Sequence, residues 1–449
     1  MTPDATGRRR AASRPARWRT WLPLRLPAHR ASSATLAGAY PFLASAPLDR
    51  GTYVGTDALT GGPFCFDPWT LYGEGLLTNP NVLLAGVIGQ GKSALAKSLA
   101  IRSIACGRRV YVPGDPKGEW GPVAQAVGGQ IIALGPGLAT RLNPLDAGGS
   151  GQVPHGAEPE SAARAGQLRL LASLAETTLR RDLRADEHTA LDAALTTALR
   201  RTAEPVTLAE VVTGLIEPER DAATADGTSA AERTRDGRDL AHGLRRLMRG
   251  DLAGLFDGPS TVRLDGEATM VVLDLSRLGS QDDALAIAMT CASAWLESTL
   301  ATSGGLQWII YDEAWRLLRS LPLIRRMQAQ WKLSRAHGIA NLLVLHRLSD
   351  LDAVGAAGSE VRVLTEGLLT DCSTRVMYRQ ETDQLTNTAS ALGLTETERE
   401  LLPALSRGTG LWKVAGRSHV VHHRLHVDEA AVFDTDAAMR GGPLRGAAS

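Results

Sequence analysis

The chain has 449 residues, of which 44% are hydrophobic and 22% charged, with a net charge of +1; this is the make-up of a folded globular protein with room for one large core or two to three domains. No stretch approaches the roughly 18 to 20 uninterrupted apolar residues of a spanning helix, because the most apolar helical run, 284–296, is broken by Thr290 and Ser293, so any membrane contact is expected to be peripheral. The four cysteines (Cys65, Cys106, Cys291, Cys372) have no CxxC spacing, which argues against a zinc site or a disulfide framework and for a reducing cytoplasm.

Residues 1–35 read as a basic disordered arm. Residues 1–50 carry nine arginines against Asp4 and Asp49, a local charge of +7 that leaves −6 for the remainder. Arg8, Arg9 and Arg10 are not followed by the apolar segment and cleavage site of a targeting signal. The arm is therefore either a solvated tail or a clamp on nucleic acid or anionic lipid.

Residues 36–80 read as a short β/linker segment. From there apolar β-type runs alternate with helical patterns, the signature of an α/β fold with a parallel central sheet. The expected strands are 81–85, 109–113, 130–134, 270–275, 307–312, 341–346 and 374–379, and near the end 410–415 and 419–426 flank Gly416 and Arg417 as a hairpin. The alternation breaks after the Gly-rich stretch 148–156. Leu168, Leu171 and Leu174 recur every three residues and Leu191, Leu195 and Leu199 every four, while Thr207 and Glu210 form a capping box before Val211, Val212 and Leu215. The charged segment 217–238 reads as an exposed loop. The expected organisation is one sheet domain from 81–150 and 256–435, an inserted all-helical subdomain at 151–255, and a flexible tail at 436–449.

The loop Gly86-Val87-Ile88-Gly89-Gln90-Gly91-Lys92-Ser93 matches G-x-x-x-x-G-K-[ST] in full, with an apolar strand before it and a helical run from Ala94 after it. Its glycines let backbone N–H groups converge on phosphate oxygens, and the helix adds its positive dipole end. Lys92 is expected to reach the β- and γ-phosphates and Ser93 to ligate Mg²⁺, so ATP and Mg²⁺ are the expected cofactors. A phosphate cradle alone does not imply hydrolysis. The run Trp308-Ile309-Ile310-Tyr311-Asp312-Glu313 supplies the rest: Asp312, ending an apolar strand, suits the metal's shell, and Glu313 suits polarisation of the attacking water. Asp274 is the alternative metal carboxylate; its other role is that of a cap at a strand end. His346 ends the strand where an ATPase with an additional strand and a catalytic glutamate places a polar γ-phosphate sensor, although a buried, merely satisfied histidine fits the position too. Arg335 is either an arginine finger for a neighbouring subunit or a basic helix end facing water.

The ordered set GVIGQGKS, DPKGEW (115–120), LNPLD (142–146), LFDGP (255–259), VVLDLSRL, IIYDEAW (309–315) and SRAHG (334–338) resembles the VirB4/TraC conjugation ATPases of the HerA/FtsK superfamily of hexameric motors, over roughly residues 40–435. The resemblance implies a RecA-like ATPase, a homo-oligomer, that powers conjugative DNA transfer or type IV secretion. It also implies DNA and membrane-bound secretion-channel components as partners, and a place in the cytoplasm or at the inner face of the membrane. The rival readings are a HerA-like DNA translocase unconnected with secretion and an ATP-dependent assembly protein with little turnover. By that likeness Arg335 falls on the arginine-finger position, with Arg375 and Arg379 as fallbacks. His346 stands where the family usually has glutamine, a departure because histidine titrates near neutral pH and its tautomer must be set by a neighbour. The short stretch before the P-loop is a second departure: either another polypeptide supplies the family's N-terminal docking domain or this motor does something else.

Asp115, Lys117 and Glu119 are expected to support the site without acting as catalysts. His419, His422, His423 and His426 read as edge-strand surface residues or, less simply, as a metal site. Arg325, Arg326 and Lys332 with Trp331 read equally as a nucleic-acid contact and as a solvated helix face.

Overall fold

The computed structural model describes residues 48–433 apart from 150–158, 203–204, 250–251, 264, 280–281, 301–303, 319, 347–358, 382–384 and 386–391. The basic arm and the C-terminal tail lie outside the described residues. Eleven strands form one sheet: β1 (Thr52–Asp57), β2 (Pro63–Phe66), β3 (Val82–Ala85), β4 (Arg109–Asp115), β5 (Gln130–Ala133), β6 (Met270–Asp274), β7 (Gln307–Tyr311), β8 (Ile339–Leu345), β9 (Thr374–Met377), β10 (Thr409–Val414) and β11 (Arg417–His423). Their order is β2-β1-β11-β10-β9-β3-β8-β7-β4-β6-β5. The run from β9 to β5 is parallel, and β10, β11, β1 and β2 extend it antiparallel. All the expected strands form, with ends shifted by a few residues.

The parallel strands are continuous apolar runs because both faces are covered. In β3, Leu83 and Ala85 face one core and Val82 and Leu84 the other. The second face packs on the helix Lys92–Ala105 through Leu95, Ala96 and Leu99, with Trp120, Trp308 and Trp412 in the same core. The first face carries Ile287 and Ala288 of helix Asp282–Leu300 and Ile324 and Met327 of helix Leu321–Ser334.

Between β5 and β6 the chain is helical: Pro159–Leu179, Ala185–Arg201, Leu208–Ile216, Arg220–Ala225 and Ala230–Met248. Leu171, Leu174, Leu191 and Leu195 are buried there, in a core continuous with the first face of the sheet. The Thr207–Glu210 capping box forms. The segment 217–238 departs from expectation, since it holds a short helix and the first half of Ala230–Met248. Ser229 and Glu232 make a capping box that starts the second of these. The helix buries a narrow stripe, Arg233, Gly237, Leu240 and Leu244, which the high charge of the segment hides from a composition reading.

The terminal hairpin forms across Ala415 and Gly416, both in the left-handed region (φ 52° and 73°) that suits a tight two-residue turn. Its second strand is interior to the sheet, not an edge, because β1 pairs with it on the outer side. His419 is accordingly buried, its Nδ1 3.5 Å from Asp57 Oδ2 and its ring tilted against Phe64.

Candidate nucleotide-binding site

The P-loop runs from the end of β3 into the helix Lys92–Ala105. Gly86 lies against β9 so closely that a Cβ there would sit 2.6 Å from Tyr378 Cβ, and Gly91, at φ 104°, caps the helix in a backbone state that other residues rarely adopt. Val87 N–H donates to the Arg379 carbonyl at 3.0 Å and Gly408 N–H to the Gln90 carbonyl at 2.9 Å, so β9 and the start of β10 brace the loop from outside. Lys92 is buried and donates through Nζ to the Val87 carbonyl at 2.9 Å, which keeps its ammonium inside the curve of the loop. Gly89, Gln90, Ser93 and Ala94 occupy the turn and the first helical turn beside it.

Strand order places the partners. β8 separates β3 from β7, and Ala85 pairs with Leu345 while Tyr311 pairs with Leu343. The residues that follow, Gly86, His346 and the pair Asp312 and Glu313, therefore leave the sheet side by side at the carboxyl ends of the strands, where ligands bind in open α/β sheets. His346 Nε2 lies 2.6 Å from Glu313 Oε1. Because a carboxylate only accepts, the proton sits on Nε2, and Nδ1 is buried with no hydrogen-bond partner among the described residues.

Glu313 is 5% exposed and sits at φ 56°, ψ 32°, a left-handed conformation that a non-glycine residue adopts at some cost. Its Oε1 also takes an ion pair from Lys117 Nζ, and its Oε2 accepts from Trp315 Nε1 at 2.8 Å. Burial alone would raise this carboxyl, but the His346 and Lys117 hydrogen bonds and their charges pull it down to about 2. Asp312 behaves oppositely: burial pushes its carboxyl up against the Trp120 indole N–H, which donates to Oδ2 at 3.0 Å. Neighbouring carboxylates add to the rise.

The segment after β4 ties these groups together, the supporting part expected of Asp115, Lys117 and Glu119. Asp115, raised to about 6 chiefly by burial, accepts from Lys117 N and Trp120 N and so folds the turn. Lys117 then reaches Glu313, Trp120 reaches Asp312, and Glu119 meets Lys97 of the P-loop helix at 3.1 Å. The signal was present in DPKGEW, but spacing does not reveal which side chain each member meets. Asp274 ends β6, two strands from β7, and accepts Ser276 N–H at 2.9 Å, the strand-end cap weighed as its other role.

Arg335 is not brought to this cluster. It lies exposed in the turn before β8, whose seven residues at about 3.3 Å each put roughly 20 Å between it and His346. Arg375 is held by the Leu392 carbonyl at 2.7 Å, and Arg379 is exposed beside the P-loop brace. Trp331 is buried, and Arg325 bridges Asp182 and Glu360 at 2.8 and 2.6 Å, so these residues present no aromatic face to a nucleic acid.

Ser93 and Asp312 offer the hard oxygen donors that Mg²⁺ takes, and among the described residues no group of three ligating His, Cys, Asp or Glu side chains occurs. That donor set fits an ion whose shell is completed by phosphate and water.

The fold aligns with a solved structure of VirB4 of Thermoanaerobacter pseudethanolicus, with a TM-score of 0.70 and 21% identity over 86% of this chain and 100% of that one. The chain has the VirB4 fold. The plasmid coupling protein TrwB in complex with ADP and Mg²⁺ aligns with a TM-score of 0.54 and 15% identity over 88% of this chain and 93% of that one. TrwB in complex with the ATP analogue ADPNP gives 0.53 and 14% over 85% and 96%. No family model matches the sequence, and no curated protein matches it. The VirB4 and TrwB likenesses establish a RecA-like P-loop ATPase fold. Among the described residues no helix is long and apolar enough to cross a membrane.

Proposed function

We propose that this chain is an ATP-hydrolysing motor of the VirB4 and TrwB kind, acting as an oligomer in conjugative DNA transfer or type IV secretion on the cytoplasmic side of the membrane. The observation that carries the reading is the convergence on one sheet edge of the P-loop, Asp312, Glu313 and His346, with Glu313 and His346 in contact at 2.6 Å. The fold of the VirB4 structure, and the coupling protein's nucleotide and Mg²⁺ complexes, support it.

In this reading the P-loop N–H groups and Lys92 hold the β- and γ-phosphates. Ser93 and Asp312 would hold Mg²⁺, which would neutralise phosphate charge when bound. Glu313 orients a water for in-line attack and takes its proton. His346, with its proton on Nε2, keeps the Glu313 carboxylate aimed and lies next to Gly86, as a γ-phosphate sensor requires. Arg335, exposed at the opposite end of β8, is in this reading a finger for a neighbour's nucleotide.

Exchanging Glu313 for Gln keeps the shape and removes the base. E313Q should bind ATP within about threefold of wild type and lose turnover by about 10² to 10⁴. A wild-type protein with no turnover, measured with and without DNA, would sink the motor reading.

A further inference from the structure

Glu313 has more partners than a working base can keep. Oε1 takes both His346 Nε2 and Lys117 Nζ, and Oε2 takes Trp315 Nε1. The side chain is also buried, at 5% exposure, and all three contacts crowd its two oxygens. Proton abstraction needs a lone pair directed at a water in hydrogen-bond reach, and one partner has to leave.

The three partners differ in how readily they leave. The His346 side chain is mostly buried at the end of β8, and Trp315 is two residues along the same turn as Glu313. The Lys117 side chain is 45% exposed and hangs on four methylenes from a loop whose backbone is pinned by Asp115. Its ammonium also lies in the fields of Glu119 and Asp312, so leaving Glu313 does not strand it without a counter-charge.

We propose that Lys117 is a clamp on Glu313: its ammonium holds the carboxylate in the resting chain, and hydrolysis proceeds only when that ion pair opens. The inference rests on the reading of Glu313 as the base. The loop that carries Lys117 is suited to time the opening, because Trp120, three residues on, donates to Asp312, the carboxylate expected to meet the nucleotide's cation. A shift of Asp312 moves the same loop that grips Glu313. Lys117 is thus a positioning residue, acting through Glu313 and not on the phosphates.

The test compares K117M, K117R, E313Q and wild type as full-length proteins, reading kcat and KM for ATP together with Kd for a fluorescent ATP analogue. K117M should raise kcat about fivefold, the scale of one partly exposed ion pair, with KM and Kd within twofold of wild type. K117R, which keeps the cation, should restore the wild-type rate. K117Q is expected to show the same rise and answers the question if K117M fails to fold. An unchanged or lower kcat in the neutral variants overturns the clamp, as does a more than tenfold loss of nucleotide affinity, which would place Lys117 on the phosphates. Turnover surviving in E313Q would bring down the base assignment and the clamp together, whereas an inactive E313Q with a slowed K117M removes the clamp alone.

Discussion

Trp120 illustrates how one side chain outside the familiar motif residues sets the state of one inside it. Its indole N–H is the donor to Asp312 Oδ2, and the N–H of Glu313 donates to Oδ1 of the same buried carboxylate at 3.1 Å. Removing a donor from a buried acceptor costs more than the hydrogen bond was worth, because the acceptor stays desolvated. W120F should therefore lower stability by about 1 to 3 kcal/mol in urea unfolding, with the ring's packing otherwise kept. Lysine placement makes a related point. Of five lysines in the chain, Lys92, Lys97 and Lys117 all lie in or against this site.

At the scale of elements, the P-loop helix is fastened at its far end as well as at its loop. Arg102, in the last turn, donates to Glu429 at the start of helix Val427–Phe433 and to the carbonyls of Tyr53 and Arg424, and Ser98 donates to the same carboxylate at 3.0 Å. Burial alone would raise the Glu429 carboxyl, but Arg102 and the His426 N–H hold it below its ordinary 4.5. A carboxyl lowered on folding stabilises above its unfolded value and loses that contribution as pH falls through the folded one. The thermal stability advantage of wild type over E429Q should therefore be full at pH 7 and shrink below about pH 4.5; a constant difference would mean the ion pair contributes nothing. The inserted helices depend on local signals of another kind. S229A removes the cap of helix Ala230–Met248 and should cost about 1 kcal/mol, read from the midpoint of chemical denaturation.

Over the whole molecule, the sheet separates two kinds of edge. The carboxyl ends of β3, β8 and β7 carry the candidate nucleotide site, and the turn before β8 carries Arg335 at the other end. A single chain cannot bring these together, so a finger role for Arg335 requires a second copy. R335A and E313Q should each be nearly inactive alone. Mixed in equal amounts they should regain a measurable fraction of wild-type turnover, since some interfaces then pair an intact Glu313 with an intact Arg335. No recovery in the mixture, together with a rate per chain independent of protein concentration, would rule out the shared site.

Local sequence determined much of this protein. The P-loop, the strand ending in Asp312 and Glu313, the terminal hairpin and the Thr207 cap were legible because each is specified by neighbours in the chain: turn residues, an apolar run or a three-residue capping spacing. The first half of helix Ala230–Met248 was missed because its charge masks a narrow buried stripe, although Ser229 and Glu232 gave a readable start. Tertiary structure alone decided the rest. Whether β11 is an edge, and hence whether His419 is exposed, depends on β1, more than 350 residues earlier in the chain. Which of Lys117, Trp120 and His346 meets Asp312 or Glu313 depends on β4, β7 and β8 lying side by side in an order that the sequence does not follow. Side-chain pairing across strands is set by that order and register, and a motif names its members without naming whom they touch.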